Sequence, residues 1–165
     1  MAFFATRPDK SLVRELASHT GRGVDVIAHG SGPDASLLAT RELLALRLLG
    51  EWRIFGWEEV TTGSWRAESL TFSWKTTTGE DFPVRLDDVG RLPELFQERV
   101  QASTVVTVSH DLARGRVQLI GRRKLDGSDE IRWYAVAGGG ADLSDAPVAA
   151  LVVAETDRLK AEYGV

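Results

Sequence analysis

The sequence predicts an α+β chain, mainly β, organised around a small barrel, and three observations carry that expectation. Apolar and polar residues alternate with period two, between turn residues, over most of residues 23–86. One amphipathic helix follows at 91–102, with apolar side chains recurring at helical spacing. A second set of alternating segments and a final helix complete the chain.

Taken in order, residues 9–18 place Leu12, Val13 and Leu16 at helical spacing, with Asp9 positioned to cap the start and Gly21 to stop it. Residues 23–30 alternate Val24, Val26 and Ala28 against Asp25, Ile27 and His29, which predicts a strand. The turn residues of 30–34 end it. The stretch LLATRELLALRLLG is the ambiguous one. As a helix, its leucines at 37, 38, 43, 44, 46, 48 and 49 spread around most of the circumference instead of marking a stripe. As strands at 36–40 and 43–49 joined by Arg41-Glu42, it leads directly into Trp52, Ile54, Phe55 and Trp57, residues typical of a sheet. Leucine favours helix, but this neighbourhood decides for strands.

Further strands are predicted at 59–67, 69–76 and 81–86, the last kept to a sheet edge or a bulge by Pro83, which has no N–H to donate. The period then changes. Leu92, Leu95, Phe96 and Val100 share one helical face, Pro93 suits the first turn, and Glu94 lies near the positive helix start. Leu95 and Phe96 are therefore expected to be buried against the barrel. Strands at 104–108, 116–122 and 130–136 follow, and Ser144 or Asp145 with Pro147 opens a last helix through Val148, Leu151, Val152, Glu155 and Leu159. The expected organisation is an N-terminal helical segment at 1–21, a barrel with its helix at 22–103, and a C-terminal part at 104–165 packed on the same unit.

Composition narrows function. The 165 residues carry a formal net charge of -4 and a pI near 5.4, whereas dedicated nucleic-acid binders concentrate Lys and Arg. Cysteine is absent, which excludes disulfides, a thiolate nucleophile and Cys-ligated metal, and fits a reducing cytosol. The opening MAFFATRPDKSL lacks the sustained apolar core of a signal peptide, and no apolar run is long enough to cross a bilayer. A cytoplasmic protein without a cofactor or metal site is the expectation. Abundant Ala and the preference for Arg over Lys suggest a GC-rich bacterial genome.

Two motifs, Thr40-Arg41-Glu42-Leu43-Leu44 and the I-x-x-W-E-E-V element of Ile54 to Val60, stand among hairpins that end in one amphipathic helix. This order resembles the pleckstrin-homology-like (PH-like) superfold, and in wording the PH-like proteins of actinobacteria that carry a C-terminal β-rich extension and a final helix. The resemblance covers residues 23–102 best. It implies a seven-stranded barrel of two orthogonal sheets, closed by the helix at 91–102. Members bind lipid head groups, peptides or proteins and share no catalytic mechanism, so fold alone does not transfer function.

Candidate sites are few. His19, His29 and His110 have no metal-ligand spacing, although His29 with Asp34 and His110 with Asp111 could form acid/base pairs. Ser11, Ser18 and Ser31 lack a G-x-S-x-G setting, and Gly138-Gly139-Gly140 lacks the Lys-Ser/Thr of a phosphate loop, so no catalytic residue is assigned. The tryptophans at 52, 57, 65, 74 and 133 suit core packing. The main lead is basic: Arg122, Arg123 and Lys124 at a loop tip, with Arg114 and Arg116 at the far end of the same strand. The expected function is a non-enzymatic module acting through protein contacts or self-association. The alternatives are a weak binder of anionic lipid head groups or phosphorylated ligands through those basic residues, and a barrel enzyme with loop-borne catalytic residues.

Overall fold

A computed structural model of the protein describes residues 7–164. Met1 to Thr6, where the signal-peptide reading begins, and Val165 lie outside the described residues. The architecture is α+β, mainly β, with three antiparallel sheets and three α-helices among those residues. The chain divides after Ala102 into two units.

In the first unit, helix α1 (Lys10–Thr20) starts where the Asp9 carboxylate accepts the Ser11 backbone N–H at 2.8 Å. That bond, reinforced by the Ser11 hydroxyl, holds the Asp9 carboxyl below its ordinary pKa. Gly21, at φ 75°, ends the helix. A four-stranded meander follows: β1 (Ala28–Ser31), β2 (Ala35–Ala39), β3 (Leu43–Leu48) and β4 (Glu51–Gly56), paired in that order. The leucine-rich stretch is thus a pair of strands, as expected. One face presents Leu38 and Ala45 to Leu16 of α1, flanked by Trp52 and Ile54. On the other face Leu37, Leu44, Leu46 and Phe55 are buried.

A 3-10 turn (Trp57–Glu59) carries the chain out of this sheet. Its Trp57 indole donates to the Thr40 carbonyl at 3.0 Å, and the Glu59 carboxylate accepts the Gly56 N–H at 2.7 Å. Strands β5 (Val60–Arg66), β6 (Thr71–Thr76) and β7 (Asp81–Arg85) form a separate sheet in the order β5-β6-β7, with Pro83 on an edge strand as expected. Helix α2 (Leu92–Ser103) then seats Phe96 against Trp57 at 5.5 Å and Phe72 at 5.3 Å between ring centroids. Leu95 and Phe96 are both buried, as their spacing predicts.

Three expectations are corrected. The seven strands do not close into one barrel among the described residues. The 3-10 turn stands between β4 and β5, and the β1 end of the first sheet meets the segment after β7 through a single bridge, Ser31 with Asp88. The strand expected at 23–30 begins only at Ala28. Its partner β2 turns away after Ala39, so Val24 and Val26 pack against the α1 cluster without a ladder. The strand expected to reach Leu49 stops at Leu48, because Leu49 (φ 49°) and Gly50 (φ 86°) form the two-residue turn into β4.

In the second unit, β8 (Thr104–Asp111), β9 (Arg116–Arg123) and β10 (Ile131–Gly138) form a sheet with β9 central. Helix α3 (Ala146–Tyr163) begins after Asp145, carries Pro147 in its first turn, and buries Leu159. Of the five tryptophans, Trp57 and Trp74 are fully buried, whereas Trp52, Trp65 and Trp133 are half-buried.

Candidate functional site

The basic residues separate along β9. Arg116 begins that strand and pairs with Asp111 at 2.7 Å, while Arg114 sits exposed in the preceding turn. At the other end Arg122 is only 1% exposed, and its Nε donates to the Ser103 hydroxyl at 2.7 Å. The expectation that Arg122 lies at a solvated loop tip is corrected: the strand extends to Arg123, and position 122 faces the interior. Arg123 is exposed. Lys124 pairs with Glu130 at 2.9 Å, and Arg132 reaches the same carboxylate at 3.2 Å. Two of the five charges are thus neutralised locally, and one is buried.

The Lys124 hydrogen bond, and after it that of Arg132, holds the Glu130 carboxyl below its ordinary range, while the Lys124 ammonium is raised by the same contact. A carboxylate with a depressed folded pKa stabilises the fold above its unfolded pKa, and that contribution is lost as pH falls through the folded value. Lys124→Ala should therefore move the Glu130 titration midpoint upward, measured by side-chain NMR; an unmoved midpoint would show that the pair is not formed. The contribution to stability is small because Glu130 is exposed and Lys124 only half-buried, so solvent screens the pair.

The histidines do not form the imagined pairs with neighbouring aspartates. His29 lies on β1 opposite Leu38, His19 lies in the last turn of α1, and the His110 Nε2 is 3.2 Å from the Glu155 carboxylate of α3. Among the described residues no three His, Asp or Glu side chains come together as a metal-binding group.

The structure does assemble a groove that the sequence reading missed. It lies between β5 and α2, with a volume of about 420 Å³, lined by Thr61, Thr62 and Gly63 on one wall and by Pro93, Glu94, Phe96, Gln97, Val100 and Gln101 on the other. Strand β5 is an edge: its pairing partner is β6, and no other strand among the described residues is paired to it. A bulge between Val60 and Gly63 sets Thr61 and Thr62 off the ladder, leaving a regular edge over 63–66. Gly63 is required by close approach, since a Cβ there would come 2.7 Å from the Phe96 ring. The one legible signal was this glycine inside a Thr-rich strand, a common mark of a bulge or of a close neighbour. Glu94 is the single ionisable side chain in the lining, so the groove is weakly acidic.

No protein-family model, curated protein or solved structure matches the chain.

Proposed function

We propose that the chain is a non-enzymatic interaction module of PH-like architecture, whose working surface is the groove between β5 and α2. An extended segment of a partner protein adds there as a further strand. The PH-like assignment is supported by the element order: four strands in one sheet, three in a second, and a helix immediately after the seventh strand. The observation that carries the functional reading is the open edge of β5 beside the groove. Unpaired backbone groups along an edge strand are a template for another chain, with main-chain hydrogen bonds giving affinity and alternate side chains giving specificity. Residues of the incoming segment that face α2 would lie against Phe96 and Val100, and the Glu94 carboxylate favours a neutral or basic segment over an acidic one.

The anionic-ligand reading at Arg114, Arg116, Arg122, Arg123 and Lys124 has weaker support, because Arg122 is buried and Arg116 and Lys124 already hold carboxylates. Membrane contact by these residues is accordingly weak in this reading.

Peptides selected from a random display library on the immobilised protein test the proposal. Gln97→Trp fills the groove from its exposed helical side. It should weaken the selected peptides by about tenfold or more while leaving thermal melting unchanged. Equal binding by parent and variant would place the interaction elsewhere. Sedimentation of the protein alone addresses self-association: a concentration-dependent dimer that Gln97→Trp abolishes would make a second copy the occupant.

A further inference from the structure

Three arginines gather at a different surface of the first unit. A cleft of about 380 Å³ is lined by Arg41, from the turn between β2 and β3, by Arg91, Leu95, Glu98 and Arg99, at and along α2, and by Ile27. We infer that this cleft is a binding site for the phosphate group of a small phosphate monoester, held by the guanidinium groups of Arg41, Arg91 and Arg99.

Charge supports it first. Glu98 is the single acid in the lining, is 59% exposed, and holds Arg99 alone, its carboxylate accepting from Arg99 Nη2 at 2.8 Å. Arg41 and Arg91 are exposed and make no ion pair among the described residues. Two guanidinium groups without an ion pair, lining one cleft with a third, form a local excess of positive charge. Arg41 also borders a neighbouring cleft, where Arg22 pairs with Glu42, and that pair leaves Arg41 uncompensated.

Hydrogen bonding supports it independently. The Nε–H of Arg99 is buried and has no acceptor among the described residues. A guanidinium presents its donors in a fixed fork that matches the oxygens of a phosphate, so a rotation of the Arg99 side chain toward an acceptor in this cleft would satisfy a donor that the fold leaves unmet.

The arginines are also held in place. The Thr40 hydroxyl accepts the N–H groups of Glu42 at 3.2 Å and Leu43 at 3.1 Å, and the Thr40 carbonyl accepts the Trp57 indole, which fixes the turn that carries Arg41. Arg91 precedes α2, and its carbonyl accepts the Leu95 N–H at 3.0 Å, so it is tied to the same helix as Arg99. Ile27 and Leu95 supply apolar wall, where charge-assisted hydrogen bonds are less screened than in open water. The volume holds a phosphate group with part of its ester, at about 30 Å³ for each water-sized group.

The test follows the Arg Nε–Hε signals by NMR while inorganic phosphate, then glycerol 3-phosphate, is added at constant ionic strength against chloride. The expected result is a saturable shift of the Arg99 signal with both. The double variant R41Q/R91Q, at two exposed positions, should keep the parent's melting temperature and weaken phosphate by about tenfold or more. No saturable shift, or equal binding by the double variant, would overturn the inference. Phosphatidic acid vesicles are the second arm. Binding to vesicles without a response to either soluble phosphate would overturn the small-molecule source in favour of a lipid head group.

Discussion

Phe96→Ala is expected to destabilise the first unit by about 3–5 kcal/mol, the range for removing a buried aromatic side chain. Phe96 is 2% exposed and is the point at which α2 touches both the 3-10 turn and the second sheet. Its ring meets Trp57 and Phe72 edge-on, with Trp74 at 6.4 Å. Truncation removes those contacts and leaves a cavity that rigid strands close poorly. It also deprives Gly63 of the ring that its missing side chain accommodates. Denaturant unfolding followed by tryptophan fluorescence measures the effect directly, since Trp57 and Trp74 surround the site. A loss below about 1 kcal/mol would mean that α2 does not cover this core.

Gly32→Ala is expected to cost more than about 2 kcal/mol through overpacking, although it adds only one methyl group. A Cβ at position 32 would stand 2.1 Å from the Arg85 carbonyl oxygen and 3.2 Å from the Leu86 Cα, both backbone atoms that cannot swing aside. The position matters because it adjoins the bridge between the two sheets. There the Ser31 N–H donates to the Asp88 carbonyl at 2.8 Å, and the Asp87 N–H donates to the Ser31 carbonyl at 2.8 Å. The added methyl group must separate these strands. Hydrogen exchange should therefore speed up at Ser31 and Asp87 before the rest of either sheet. Uniform protection in the variant would show that the bridge tolerates the change.

The leucine-rich stretch explains both what the sequence disclosed and where it misled. Leu43 to Leu48 lack a clean alternation because β3 is covered on both faces, by α1 through Ala45 and by the main core through Leu44 and Leu46. A strand buried twice has no polar face to reveal its period. The aromatic residues that followed it settled the reading. Strand lengths were less legible, since pairing ends where the partner ends: residues 24–27 have strand composition, yet β2 has turned away beside them. The closed barrel was expected from resemblance, and its absence depends on the 3-10 turn at Trp57, which local pattern alone does not specify.

The candidate surfaces were harder to read for the same reason. Gly63 hinted at a close neighbour, but nothing near it in sequence named Phe96 as that neighbour. Arg41 and Arg91 are fifty positions apart by their numbering and become neighbours only in the folded unit. The basic run at Arg122 to Lys124 was conspicuous in sequence, and the strand pleat then buried its first member.

Backbone amide exchange of the protein bound to a display-selected peptide tests the central claim most directly. Strand addition at the groove predicts new protection at amides within β5 (Val60–Arg66), accompanied by shifts in α2 at Gln97 and Gln101 and by no new protection in β8 to β10. Protection confined to other strands, or a selection that yields no peptide protecting β5, would contradict it.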